Sequence, residues 1–321
     1  MTCPRPKLQN PLRLWNTRFD EFFPVFFERG FIVKGIILAG GSGTRLHPLT
    51  VAISKQLLPV YDKPMIYYPL STLLLGGVRE ILVISTPVDV PLFRKVLGDG
   101  SDLGLQISYA EQSQPAGIAD AFRIGRSFVG ADPVSLILGD NIFYGQGLSD
   151  LLIRSMAENE GCTLFGHVVS DPRRYGVAEI DSGGRLVGIE EKPVRPPSSE
   201  AITGLYVYSN DVLDIARELT PSPRGELEIT DVNRVYLGQG RARLNSLGRG
   251  FSWLDAGTHD ALLNAAQFVQ VLEHRQGVRI ACIEEIALRM GYIDAESCYA
   301  LGLKQQNSGY GQYVMAAAAS A

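Results

Sequence analysis

The run Gly35-Ile36-Ile37-Leu38-Ala39-Gly40-Gly41-Ser42-Gly43-Thr44-Arg45-Leu46 limits the fold more than any other stretch of the chain. Apolar residues run straight into a glycine cluster, which is the pattern of a buried strand stopping at a tight loop. Gly40, Gly41 and Gly43 have no Cβ, so the backbone there can take positive φ and come close to a ligand. Successive N–H groups in such a loop form a concavity suited to phosphate oxygens. Arg45 adds a planar guanidinium able to hold two of those oxygens at once. Leu46 stands where a dinucleotide fingerprint needs its third glycine, and no Gly-Lys-Ser/Thr follows as a P-loop demands. Taken alone, the cluster is equally consistent with an ordinary strand-to-loop turn.

Strand-like and helix-like runs alternate after it. Ile36–Leu38, Ile81–Ser85, Ile107–Ala110 and Ser135–Leu138 read as strands. Met65–Leu75, Val90–Leu97 and Ala119–Phe128 read as helices, with Pro69 expected to kink or divide the first. This alternation implies a largely parallel sheet covered by helices on both faces, with ligands at the carboxyl ends of the strands. In the second half, Val177–Ile180 and Arg185–Ile189 flank Asp181-Ser182-Gly183-Gly184, a hairpin signal. Ile202–Tyr208 reads as a strand, and Glu228–Leu237 and His259–Arg275 as helices. Glu284–Arg289 and Ala295–Leu301 suggest a short helical tail, and Ala316–Ala321 is expected to fray.

Two segments add charge to this frame. Ser54-Lys55-Gln56-Leu57-Leu58-Pro59-Val60 places a lysine soon after the glycine loop, although by itself Lys55 reads as a solvated surface residue. Leu136-Ile137-Leu138-Gly139-Asp140-Asn141 ends a buried strand in a carboxylate, which either turns the chain or serves as a hard oxygen ligand for Mg²⁺.

Together, G-G-S-G-T-R-L-x-P-x-T and S-K-Q-L-L-P-V-x-D-K-P-M-I resemble the signature of the sugar-1-phosphate nucleotidylyltransferases, and the similarity runs from about Val33 to about Tyr313. The wording is closest to the thymidylyl-transferring branch that uses glucose 1-phosphate. The resemblance implies a Rossmann-like three-layer α/β/α nucleotidyltransferase fold. Its central sheet would be mostly parallel, with a small β-rich sugar-binding part and C-terminal helices. It implies a Mg²⁺-dependent transfer from dTTP to glucose 1-phosphate, a step towards dTDP-rhamnose and cell-wall polysaccharide. It further implies a homotetramer with feedback inhibition by dTDP-rhamnose.

The resemblance also assigns residues. Leu38, Gly40, Gly41, Gly43, Thr44, Arg45, Gln112, Gly117 and Asp140 would bind nucleotide, and Asn141, Gly176, Glu191, Lys192, Ile202 and Tyr206 the sugar. Arg45, Lys55 and Lys192 would be the catalytic cations, and Asp140 with Asp255 the metal ligands. Tyr144, Gly145, Cys282, Glu285, Ile286 and Arg289 would form a regulatory nucleotide site. Gln112 can offer both a donor and an acceptor, which suits the imide edge of thymine or uracil. Two departures stand out: Ala256 replaces the threonine of W-L-D-T-G-T, and Ile118-Ala119-Asp120 replaces Leu-Ala-Gln. The retained Asp140, Asp255, Lys55 and Lys192 argue against a non-enzymatic nucleotide-sugar sensor. A UTP-using enzyme stays open, because only a methyl separates thymine from uracil.

Composition sets outer bounds. A chain of 321 residues buries a sizeable core. A net charge of −4 argues against binding nucleic acid polymers across the whole surface, though not against a nucleotide in a local basic pocket. The 4 cysteines show no C-x-x-C spacing, so a zinc site or disulfide framework is not expected and a reducing cytoplasm fits. Residues 1–32 carry prolines and phenylalanines without periodicity and are expected to form a disordered extension. Residues 33–275 then make the nucleotidyltransferase domain and 276–321 a helical tail.

Overall fold

Ile36 and Ile37 are both fully buried, and as neighbours on a strand they point to opposite faces. Their strand must therefore lie inside a sheet covered on both sides, and the computed structural model, which describes residues 32–41 and 43–321, has this architecture. The expectation for residues 1–32 lies outside the described residues apart from Ile32.

The first half runs β1 (Lys34–Leu38), β2 (Pro59–Val60), β3 (Lys63–Pro64), α1 (Tyr67–Leu75), β4 (Glu80–Ser85), α2 (Val90–Leu97), β5 (Gln106–Glu111), α3 (Asp120–Ile124), α4 (Arg126–Val129) and β6 (Val134–Leu138). The second runs β7 (Asn141–Gly145), α5 (Leu148–Ala157), β8 (Cys162–Val168), β9 (Gly176–Ile180), β10 (Leu186–Glu191), β11 (Glu200–Tyr208), α6 (Val212–Glu218), α7 (Ile229–Gly238), β12 (Ala242–Leu247), β13 (Phe251–Asp255) and α8 (His259–Gln276). Then come α9 (Ile283–Arg289), α10 (Ala295–Lys304) and α11 (Gly309–Ala319).

The main sheet has the order β10-β9-β11-β6-β1-β4-β5, with β8 joined to β11 and β12 to β8. Following the pairings, β1, β4, β5, β6, β8, β9 and β12 run one way, and β10 and β11 run against them. Successive residues feed different cores. Ile37, Ile81, Val83 and Ile137 pack with α1, α2, α5 and α9, while Ile36, Leu82, Ile84 and Leu136 pack with α3, α6 and α7. Each such side chain contributes about 1.5–3 kcal/mol on burial, which is why a one-residue register slip is not tolerated.

Local chemistry overrides several expectations. α1 passes Pro69 without a break, because Pro69 is the third helical residue, where a backbone N–H has no intrahelical acceptor to lose. The helix expected over Ala119–Phe128 is divided at Gly125 into α3 and α4. A Cβ at Gly125 would lie 3.0 Å from Ile36 Cδ1 and 3.3 Å from Leu82 Cδ2, so the chain touches the sheet there and bends. The C-terminal alanines do not fray. α11 is capped by Ser308, whose Oγ accepts from Gly311 N at 3.0 Å, and Val314, Ala317 and Ala318 are buried. Alanine is the best intrinsic helix former, and that suffices once one face is covered.

Candidate active site

The glycine loop is fastened at the end of β1 by both neighbours. Ala39 N donates to Ile84 O at 2.8 Å, and Gly139 N donates to Leu38 O at 2.9 Å. Gly41 and Gly43 then take φ of 96° and 58°, values that a side chain would strain, and the chain enters a short 3-10 turn, Thr44–Leu46. Thr50 Oγ1 closes the loop by donating to Gly43 O at 2.8 Å. Thr44 and Arg45 are exposed at the loop's outer edge, and Leu38 sits half-buried at its root.

Asp140 is placed by the sheet register. Leu38 pairs with Leu138, so Asp140 leaves β6 beside the glycine loop. A Cβ at Gly139 would lie 2.8 Å from Gln56 Cγ and 3.1 Å from Leu38 O, so only glycine lets the two segments touch. Gln56 is buried, its Oε1 accepting from Ser54 Oγ at 2.6 Å and its backbone O from Ile66 N at 2.8 Å. That anchored turn carries Lys55, whose ammonium is ion-paired with Asp140. Lys55 is therefore not a solvated surface lysine.

Asn141 supports the same spot from below. Its Oδ1 accepts from Trp253 Nε1 at 2.6 Å and from Gly204 N at 3.0 Å, and its Nδ2 donates to Asp140 Oδ1 at 3.0 Å. β13 pairs with β7 so that Asp255 lies opposite Asn141. Ala256 N donates to Asp140 O at 3.1 Å, while the Ala256 side chain is buried in an apolar cluster with Val60, Met65, Tyr68 and Ile142. The methyl thus sits where packing, rather than a hydroxyl bond, holds the Asp255 strand.

The two carboxylates titrate differently. Burial pushes Asp140 up, but the Lys55 ammonium and the Asn141 amide outweigh it, and the carboxyl ends below the ordinary carboxylate value. Burial and the Asp140 charge push Asp255 up, only partly offset by Lys55, Arg174 and Arg45. Arg174 Nη2 lies 3.7 Å from Asp255 Oδ2. Two carboxylates close enough to feel each other, surrounded by cations, form a donor set that fits one Mg²⁺ completed by substrate phosphates. Among the described residues no group of three or more His, Cys, Asp or Glu is arranged to hold a metal ion.

A second group of assigned residues meets at the edge of β9 and β10. Gly176 pairs with Glu191, and Thr230 Oγ1 donates to Glu191 Oε2 at 2.5 Å. The Glu191 charge reaches Tyr206, whose phenol is pushed up chiefly by burial. Ile202 is buried beside them. Lys192 lies 3.4 Å from Glu191 Oε1 and has φ of 45°, an uncommon backbone for a residue with a Cβ. Tyr175 connects the two groups, its ring edge-on to Trp253 at 5.0 Å and its hydroxyl at Asp255. Trp253 opens the segment that carries Asp255, but the way Arg174, Tyr175 and Trp253 bridge the two groups depends on the β7–β13 ladder and left no local signal.

Gln112 is buried behind the loop, where a Cβ at Gly40 would lie 3.0 Å from its Oε1. Gly117 has φ of 100°, and a Cβ there would run into the Leu227 backbone at 2.4 Å. Its absent side chain thus lets the Ala116–Ala119 loop bond to Leu227. The regulatory assignments hold to different partners. Tyr144 donates to Gln276 Oε1 at 2.8 Å and stands edge-on to Phe268, while Gly145 pairs with Phe251. On α9, Glu285 accepts from Arg289 Nε at 2.8 Å and from Tyr313 OH at 2.7 Å, with Cys282 and Ile286 buried nearby.

A strand-terminal glycine loop, a lysine–aspartate pair and a second aspartate on a neighbouring ladder thus meet at the carboxyl end of the central strands of an α/β sheet. The chain belongs to the nucleotidyl transferase family, whose family model matches residues 34–271. Its curated relatives include the glucose-1-phosphate thymidylyltransferase of Xanthomonas campestris pv. campestris (strain B100), 55% identical over 285 residues, covering 89% of this chain and 97% of that protein. The enzyme of the same name from Mycobacterium tuberculosis (strain CDC 1551 / Oshkosh) is 55% identical over 283 residues, covering 88% and 98%. Among solved structures, a Bacillus anthracis chain assigned as a glucose-1-phosphate thymidylyltransferase, in complex with a sucrose, superposes with a TM-score of 0.69 at 40% identity, covering 74% of this chain and 94% of that one. A UDP-glucose pyrophosphorylase complexed with UDP-glucose shares the fold, with a TM-score of 0.66 at 23% identity, covering 75% and 99%. No helix among the described residues is long and apolar enough to cross a membrane.

Proposed function

We propose that this chain transfers a thymidylyl group from dTTP to glucose 1-phosphate, releasing pyrophosphate and forming dTDP-glucose. The observation that carries this reading is the Lys55–Asp140 pair with Asp255 beside it, set directly under the glycine loop. The high identity to thymidylyltransferases along most of the chain supports the choice of substrates. A sugar phosphate is already anionic near neutral pH, so it needs no protein nucleophile to attack the α-phosphorus. What the protein must supply is position and charge.

In this reading the loop N–H groups and Arg45 hold the triphosphate, and Gln112 with the Gly117 loop faces the base. Lys192 and Glu191 place the sugar phosphate and sugar hydroxyls, with Gly176, Asn141, Ile202 and Tyr206 shaping that side. Asp140 and Asp255 would hold Mg²⁺, which when bound neutralises charge on the reacting phosphates. Lys55 then passes from its contact with Asp140 to the leaving side. Arg174 helps to orient Asp255 through its ion pair. The same reading extends to a cytoplasmic homotetramer that feeds dTDP-rhamnose formation and is inhibited by that product. The inhibitor would bind at a second nucleotide site drawn from Tyr144, Gly145, Cys282, Glu285, Ile286 and Arg289.

The test is pyrophosphate release with dTTP, UTP, dCTP or ATP, each with glucose 1-phosphate and Mg²⁺. Release should be fastest with dTTP and should need the sugar phosphate. UTP should follow, because a methyl-sized difference is worth only about 1–3 kcal/mol. Absence of sugar-phosphate-dependent release with any nucleotide overturns the proposal.

A further inference from the structure

Gln112 is held at both ends. Its backbone N donates to Ser85 O at 2.7 Å, and its side-chain Nε2 donates to Asp120 Oδ2 at 2.9 Å. A carboxylate only accepts hydrogen bonds, so the amide nitrogen must face Asp120 and the amide oxygen must turn the other way. That oxygen lies at the face of the glycine loop, 3.0 Å from where a Cβ on Gly40 would stand. The pattern this chain resembles has a glutamine in place of Asp120. A glutamine can donate or accept, so it would leave either rotamer of the Gln112 amide satisfied.

Building on the nucleotidyl-transfer reading, we propose that Asp120 is a positioning residue that locks the Gln112 amide with its oxygen toward the nucleobase, and so selects imide pyrimidines over cytosine. Thymine and uracil carry an N3–H, which donates to an amide oxygen. Cytosine has a bare acceptor at N3, and two acceptors facing each other across a buried site leave both unpaired. A Gln112 free to turn over by 180° would serve cytosine with its amide nitrogen. Asp120 prevents that turn without touching the base.

The experiment compares the parent with Asp120→Asn and Asp120→Ala. It measures kcat/KM for dTTP, dCTP and UTP with glucose 1-phosphate and Mg²⁺, and nucleotide binding by calorimetry. In Asp120→Asn the preference for dTTP over dCTP should fall by about tenfold or more, as expected when one hydrogen-bond mismatch is relieved. The dTTP to UTP ratio should hold, because both bases show the same edge. A merely structural role would lower all rates together and leave the dTTP to dCTP ratio intact, and that result overturns the inference. For a variant too slow to turn over, the ratio of binding constants decides by the same criterion. A parent that favours dTTP beside variants with an unaltered ratio removes the role of Asp120 alone. A parent that uses no nucleotide removes the proposed function, and this inference with it.

Discussion

The Lys55 ammonium lies against the Asp140 carboxylate, tying the turn after the glycine loop to the carboxyl end of β6. Asp140→Asn keeps the shape and the Asn141 neighbour but binds a hard cation poorly. Turnover at limiting Mg²⁺ should fall by about a hundredfold or more, the usual cost of losing one preorganised electrostatic group. A Mg²⁺ titration of pyrophosphate release checks this, and near-parental rates at limiting Mg²⁺ would contradict it.

The two lysines should separate by substrate. Lys55 is paired with Asp140 under the glycine loop, whereas Lys192 extends from its positive-φ position beside Glu191. Lys55→Ala should chiefly weaken dTTP, and Lys192→Ala should chiefly raise KM for glucose 1-phosphate. Binding of dTTP measured without sugar phosphate decides the matter. A larger loss in Lys192→Ala than in Lys55→Ala would reverse the roles.

Gly139→Ala should damage the site through packing alone. The added methyl would stand 2.8 Å from Gln56 Cγ and 3.2 Å from Ala39 Cα, and the backbone on that side cannot yield easily. Overpacking of this kind costs about 1–3 kcal/mol, so the melting temperature should drop and Lys55 should lose its alignment. An unchanged melting temperature and kcat would show that the Lys55 turn moves freely.

The parallel half of the sheet was legible because β1, β4 and β6 are short, largely apolar runs closed by glycine or proline, with helical runs between them, and the glycine loop announced which strand end mattered. The pairing of β7 with β13 was not, since Asn141–Gly145 and Phe251–Asp255 are far apart in sequence and neither alternates cleanly. That ladder brings Asp255 to Asp140, so spacing alone could not join the two aspartates, and the family pattern had to. Pro69 and the terminal alanines misled for a related reason. Each was judged by local propensity, while helix position in one case and tertiary cover in the other decided the outcome.

Arg289→Ala tests the second nucleotide site. The arginine is bonded to Glu285, which Tyr313 also holds, so the helix should survive its removal. Inhibition by dTDP-rhamnose should weaken at least tenfold while kcat stays close to that of the parent, as expected for a charge-assisted phosphate contact. Equal sensitivity of variant and parent to the nucleotide sugar would count against a separate site.

Glu284 gives the C-terminal helices a pH-dependent stability. It is buried, its Oε2 accepting from Tyr310 OH at 2.5 Å with Cys282 Sγ 3.7 Å away. Burial lifts its carboxyl above the ordinary value of 4.5, and the opposing pull of Tyr310, Cys282 and Lys63 does not cancel that rise. A group with a raised folded pKa favours the folded state below its unfolded pKa, and that contribution is lost as pH climbs through the raised value. Each unit of rise is worth about 1.4 kcal/mol. Glu284→Gln keeps an acceptor for Tyr310 and carries no charge to bury, so it should raise the melting temperature at pH 8. At pH 4, below even the ordinary carboxylate value, the parent carboxyl is mostly protonated and the gain should shrink towards zero. Thermal melts of parent and variant at the two pH values are sufficient. An equal gain at both, or a loss at pH 8, would mean that the Glu284 charge is stabilised by its surroundings rather than penalised by burial.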